Sequence, residues 1–229
     1  MQKAFQSLAT KAIHDISGTE VIKILDVGCG YSLRFDLPDN ACMVGLDISQ
    51  EQLKKNSIVD KKVCGDIQNF NFMPSSFDVT VCFCVLEHLS RPEDALINIT
   101  KGLREGGIIV IVVPYLFSVI TLLTKITPLC LHRWVYRHIR GFKEAGTSTM
   151  PIFKTYLKLS ISPGKLKDFA VRNNLSIEFS HLHKTKFNAV NKFYKAIWAV
   201  FIGALQFFSL GKVVEAAEYY LILRKRIAH

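Results

Sequence analysis

Ile24-Leu25-Asp26-Val27-Gly28-Cys29-Gly30-Tyr31-Ser32 decides the fold. An apolar run ends in an acid and passes straight into a turn with two glycines, the pattern of a buried strand that stops at a ligand crevice. Glycine at 28 and 30 lets the backbone bend sharply and come close to a ligand where any side chain would intrude. Working outward, β-rich apolar runs recur at 21–26, 42–47, 59–64, 77–83 and 108–113, and helical patterns occupy 1–15, 49–56 and 91–103. The last of these helices carries Pro92 in its first turn, followed by the acidic pair Glu93-Asp94 that the helix dipole favours. A helix at 163–172 and strands at 176–181 and 217–224 complete the series. Strand alternating with helix predicts an α/β fold, a doubly wound and mostly parallel sheet with helices on both faces.

Composition sets the outer limits. With 229 residues, 49% apolar and 21% charged, the chain has the size and make-up of one α/β unit, a single domain over 1–229, and not of a disordered or fibrous protein. The net charge of +10 is unevenly placed. Residues 1–119 hold 11 Lys/Arg against 14 Asp/Glu, a net of −3, and residues 120–229 hold 18 against 5, a net of +13. Cys29, Cys42, Cys64, Cys82, Cys84 and Cys130 contain no C-x-x-C pair, which argues against zinc and predicts no metal site. They read as reduced thiols of an intracellular protein, and 1–16 lacks the apolar core of a secretory signal. The uncharged run 106–124 opens with two glycines and breaks at Pro114, so it reads as a strand and loop rather than a membrane span.

Two acids extend the glycine turn into a site. Asp47 lies 21 residues beyond Asp26 at the end of the second strand, where a carboxylate accepts hydrogen bonds from ribose hydroxyls. Asp66 follows the third strand, within reach of an exocyclic amine on a base. A nucleoside-bearing cofactor fits this set. A dinucleotide fits less well, because the third glycine of G-x-G-x-x-G would fall at 33 and the chain has Leu33.

With DVGCG at 26–30, GLDIS at 45–49, GDI at 65–67, SFDVTVCFCVLEHLSRPEDAL at 76–96 and LREGGIIVIVVP at 103–114, residues 22–113 resemble the class I S-adenosylmethionine-dependent methyltransferases. The closest likeness is to the type 11 small-molecule group that includes ubiquinone and menaquinone biosynthesis enzymes. The resemblance implies S-adenosylmethionine as cofactor and a Rossmann-like seven-stranded sheet whose last strand is antiparallel. It places Asp26, Gly28 and Gly30 at the methionine part of the cofactor, Asp47 at the ribose and Asp66 by the adenine, with Cys29, Ile48 and Ile67 also among the cofactor-binding residues. The backbone at Cys84 and Val85 lines the methionine side. Ser32 departs from the many relatives with a further glycine there.

That topology puts two insertions, 115–160 and 183–214, over the substrate mouth. The first holds seven Lys/Arg and one acid and the second five Lys and no acid, and both are rich in large apolar residues. Basic and greasy together predict a lipophilic or amphiphilic small-molecule substrate and a cytoplasmic protein lying peripherally on the inner face of a membrane. In 187–214, Phe193, Ile197, Val200, Phe201, Ala204, Phe207 and Phe208 recur at helical spacing, with Tyr194 and Trp198 widening the apolar face. Such a helix either dips into a bilayer, spans it, or is covered by the lid to form a tunnel. His88, just past the fourth strand, is the candidate general base, and Tyr115 and His132 are candidate substrate contacts. The alternatives are an RNA methyltransferase and a non-catalytic binding module. Nucleic acid is disfavoured, because 82–85 reads Cys-Phe-Cys-Val where amino-methylating DNA and RNA enzymes carry Asn/Asp-Pro-Pro-aromatic, and the chain lacks the Pro-Cys of cytosine enzymes. The module would require a degraded cofactor turn, and this one is intact.

Overall fold

A computed structural model describes residues 2–16, 21–30, 37–147, 150–185, 191–208 and 214–227. Tyr31, Ser32 and Leu33 of the glycine turn, Lys186 to Val190, and Ser209 to Lys212 lie outside them. Seven strands form one sheet: β1 (Ile22–Val27), β2 (Ala41–Asp47), β3 (Lys61–Cys64), β4 (Phe77–Phe83), β5 (Leu103–Pro114), β6 (Leu175–Thr185) and β7 (Ala216–Lys225). Their order is β3-β2-β1-β4-β5-β7-β6, parallel except for β7, which runs antiparallel to both of its neighbours. The Rossmann-like arrangement and the antiparallel last strand are as the sequence predicts.

The apolar run in β5 shows why these residues form a central strand. Ile109, Ile111 and Val113 join one buried cluster and Ile108, Val110 and Val112 the other, so period-two alternation delivers apolar side chains to both faces. Helices α3 (Pro92–Gly102) and α6 (Pro163–Arg172) cover the first face through Ala95, Leu96, Ile99, Leu166 and Phe169. Helices α1 (Gln2–His14) and α2 (Gln50–Lys55) cover the second through Phe5, Ala9, Ile13 and Leu53.

Three boundaries depart from the sequence reading, each for a local reason. The third strand starts at 61 and not 59, because Asn56 Oδ1 accepts from the amides of Ile58 and Val59 and takes them out of any ladder. The fifth begins at Leu103, where the chain pairs with Phe77, bulges through Gly106 at φ +74°, and resumes pairing at Ile108 opposite Val79. The sixth continues to Thr185, so the second insertion opens as strand. In the first insertion, α4 (Val119–Ile126) and α5 (Leu129–Trp134) are followed by one π turn at Val135–Ile139, and 151–158 is irregular, with Leu157 at φ +47°. Helix α7 (Lys192–Phe208) forms the second. The two meet at the carboxy end of the sheet: Val119 N–H donates to Val214 carbonyl at 2.9 Å and Ile120 N–H to Glu215 carbonyl at 3.0 Å.

Candidate cofactor and substrate site

The site grows from the carboxy ends of β1 and β2. Gly28 and Gly30 both have positive φ, +65° and +50°. A Cβ on Gly28 would overlap Val85 Cγ2, so the residue after β4 seats directly on the turn. Among the described residues, a Cβ at Gly30 would meet only Gln52 Oε1, at 4.0 Å. The Gly28 amide donates to Leu46 carbonyl at 2.7 Å, and the Gly30 amide to Asp47 Oδ2 at 2.9 Å. Asp47 Oδ1 accepts from Ser49 N–H at 2.8 Å, while Ser49 caps α2. Asn56 closes the ring by donating its side-chain amide to Gly30 carbonyl at 3.0 Å.

Asp47 is 8% exposed, and these two backbone donors fill half the lone-pair positions that its two oxygens present. Among the described residues no other donor reaches the carboxylate, which leaves one acceptor position on each oxygen, the number a vicinal ribose diol requires. Beside it, Ile48 is 65% exposed, a bare apolar surface against which a base can lie. A turn without intruding Cβ atoms, a carboxylate with two acceptor positions left and an exposed Ile48 fit a nucleoside with an extended amino-acid tail.

The other cofactor candidates divide. Asp26 is buried at the end of β1, beside the turn. Asp66 lies just past β3, but its carboxylate turns back on Gln68 N–H and Nε2 and on Asn69 Nδ2, at 2.9–3.4 Å, so in this state it closes a turn. The side chains of Cys29 and Ile67 belong to the two cores and leave only backbone for a ligand. Burial pushes the Cys29 thiol up to about 12, with Asp26 and Asp47 adding to the effect, which makes it inert. Cys84 adopts φ +55°, unusual for a residue with a Cβ, as the chain turns sharply over the end of β4.

The substrate candidates are likewise placed by the lid. Tyr115 anchors the start of the lid through its amide, which donates to Ala217 carbonyl at 2.8 Å, and its ring meets Phe117 edge-on at 5.6 Å. His132 is 9% exposed and bonds Thr127 Oγ1 at 2.7 Å, so it braces the turn between α4 and α5. His88 Nδ1 lies 2.9 Å from Lys154 carbonyl, an acceptor, so Nδ1 carries the proton and Nε2 is bare. Burial holds this imidazole below its usual pKa, neutral at physiological pH. The sequence reading missed Asn56 and the Ser49 amide. The polar pair Asn56-Ser57 after the helical run was the available signal for Asn56.

Fold and cradle together define a class I, Rossmann-like nucleoside-cofactor protein. Residues 25–111 match the family described as "Methyltransferase domain". The match covers 87 of the 229 residues, from β1 into β5, includes the glycine turn and Asp47, and implies S-adenosylmethionine as the cofactor. An uncharacterized protein of Methanocaldococcus jannaschii is 33% identical over 90 residues, 39% of this chain and 40% of that one. The mitochondrial ubiquinone biosynthesis O-methyltransferase of Schizosaccharomyces pombe is 27% identical over 103 residues, 39% of this chain and 36% of that one. The likeness thus spans about two fifths of the length of these curated relatives. A SAM-dependent methyltransferase from Archaeoglobus fulgidus shares the fold over 98% of this chain and 95% of its own, with TM-score 0.53 and 15% identity.

Proposed function

We propose that the protein transfers a methyl group from S-adenosylmethionine to a lipophilic or amphiphilic small molecule, working from the inner, cytoplasmic face of a membrane. The observation that carries the methyltransferase reading is the closed ring of Gly30, Asp47, Ser49 and Asn56. It fixes the turn to a carboxylate that takes two backbone donors and has acceptor capacity left for a ligand. Bound there, the cofactor supplies an activated methyl on a sulfonium. Asp47 holds the ribose, Ile48 lies against the base, and the backbone of 28–30 and 84–85 lines the amino-acid tail. Because the sulfide leaves readily, the protein's main work is to align the acceptor and exclude water.

The lid and α7 support the lipophilic part. Of the 17 residues of α7 only Ile202 is buried, while Phe193, Val200, Phe207 and Phe208 are 66%, 75%, 78% and 84% exposed. Full burial beneath the lid, one of the sequence's options, therefore does not occur. Among the described residues no helix is long and apolar enough to cross a membrane. An apolar helix left uncovered, with Lys192, Lys195 and Lys184 beside it and no acid of its own, has the make-up of an interfacial element. Incubation with methyl-labelled cofactor and either a membrane lipid extract or total RNA tests the reading. Label in the lipid fraction is the expected result, and greater transfer to RNA overturns it.

A further inference from the structure

The carboxy ends of β4, β5 and β7 gather a second polar group, outside the cofactor cradle. Glu87 lies in the turn after β4. Glu218 lies near the start of β7, opposite Pro114 of β5 and His183 of β6. In the order β4-β5-β7 only β5 separates the strands that carry the two acids, and both acids lie at the end of the sheet where the glycine turn lies. Glu87 is 5% exposed, and its Oε2 is buried with no hydrogen-bond partner. Facing this carboxyl are His88 on the same turn, with Nε2 at 4.0 Å from Oε1, Cys82 from β4, Cys84 just past it, whose thiol hydrogen-bonds the carboxyl, and Glu218 from β7. The lid touches the same residue from above, where the amides of Tyr156 and Leu157 donate to Glu87 carbonyl at 2.8 and 3.2 Å. Glu218 in turn accepts from the Tyr220 hydroxyl at 2.6 Å. Among the described residues no Lys or Arg forms an ion pair with either acid.

The floor of the mouth is therefore acidic while the insertions around it are basic. A buried carboxyl oxygen without a partner costs free energy that a fitting ligand recovers, and two neighbouring acids favour a cation. We propose that the methyl acceptor is an amine on an amphiphile, and that Glu87 pairs with its ammonium and removes the proton that frees the lone pair. This rests on the methyltransferase reading above and names its acceptor atom. Burial, reinforced by Glu218, pushes the Glu87 carboxyl up to about 8, so the empty protein holds it protonated. An arriving ammonium displaces that proton to solvent and pairs with the carboxylate. The carboxylate then takes one N–H proton. The nitrogen lone pair forms the new N–C bond as the C–S bond breaks with its electron pair on sulfur, leaving a methylated ammonium, a neutral sulfide and Glu87 protonated as at the start. One proton is released per turnover. His88, with its ring fixed on the Lys154 carbonyl and neutral, is on this account a positioning residue beside Glu87.

Calorimetric titration with decylamine or decanol at pH 7, in two buffers of different ionisation heat and with S-adenosylhomocysteine present, tests this without a turnover assay. The parent protein is expected to bind decylammonium with release of close to one proton. Glu87→Gln is expected to bind it roughly tenfold more weakly and release none, and Glu218→Gln to release a smaller fraction, because Glu87 loses its like-charged neighbour. Decanol is expected to bind all three alike. Equal decylamine binding by Glu87→Gln, or binding by the parent without proton release or no binding at all, overturns the proposal, and Glu218→Gln retains the test if Glu87→Gln does not fold. S-adenosylhomocysteine titrated alone separates the two readings: if the parent fails to bind it, the methyltransferase assignment falls first.

Discussion

The Gly30 amide donates to Asp47 Oδ2 at 2.9 Å, so the carboxylate proposed to hold the ribose also holds the glycine turn in shape. Asp47→Ala removes both functions. Taking about 1.5–3 kcal/mol for hydrogen bonds to a charged group, affinity for S-adenosylhomocysteine is expected to fall roughly tenfold or more by calorimetry. Unchanged binding would move the cofactor elsewhere.

Gly28→Ala meets two separate obstacles, φ +65° and the Val85 side chain. Denaturant unfolding is expected to show a loss of about 1–3 kcal/mol. Adding Val85→Ala relieves only the overlap, so the double variant should recover part of that loss and not all of it.

Glu87 carries a pH signature in stability. Its folded pKa, about 8, lies above the ordinary value of 4.5, so the folded state binds the extra proton. The stability this contributes is full below the unfolded value and is lost as pH rises through about 8. Glu87→Gln lacks that loss. Urea unfolding at pH 5 and pH 8.5 is expected to show the variant gaining on the parent by roughly 2 kcal/mol or more between the two. A constant difference would refute the raised pKa.

The bond from His88 to the Lys154 carbonyl fastens the irregular part of the lid to the turn after β4. In His88→Ala that fastening is gone, at about 1 kcal/mol. Trypsin should cut after Lys154 and Lys158 several times faster than in the parent, with cofactor affinity unchanged. Cleavage at the parental rate would show the bond to be dispensable.

Membrane contact through α7 depends on its uncovered phenylalanines and its lysines. Flotation with anionic vesicles is expected to recover the parent protein in the lipid fraction at low salt. Phe207→Asp together with Phe208→Asp should abolish this, and Lys192→Glu with Lys195→Glu should weaken it roughly tenfold or more, at about 1 kcal/mol per lysine. A parent protein that stays in solution at every salt concentration excludes the interface.

Much of the fold was legible because its signals are local. The strand at 77–83 and the helix at 163–172 begin and end where their apolar pattern and Pro163 place them. What escaped was non-local. Nothing in the 59–64 run reveals that Asn56 takes the amides of Ile58 and Val59. The site shows the same division: Gly28, Gly30 and Asp47 declare themselves by spacing, since a tight turn and a strand-end acid are sequence features. Glu87 does not, because its character comes from burial under the lid and sheet end, reinforced by Glu218, 131 positions away and brought near only when β7 inserts between β5 and β6. Periodicity likewise found α7, but could not say whether the lid would cover it.

Both tryptophans of the chain belong to the mouth. Trp134 ends α5 at 45% exposure, and Trp198 on α7 donates its indole N–H to Glu215 at 2.7 Å, just ahead of β7. Neither enters the two cores. The intrinsic ultraviolet emission of the protein is thus a native spectroscopic label for the substrate opening, insensitive to repacking deep in the sheet. With excitation where tryptophan alone absorbs, a shift in its wavelength reports the surroundings of Trp134 and Trp198, with no dye attached and no residue replaced.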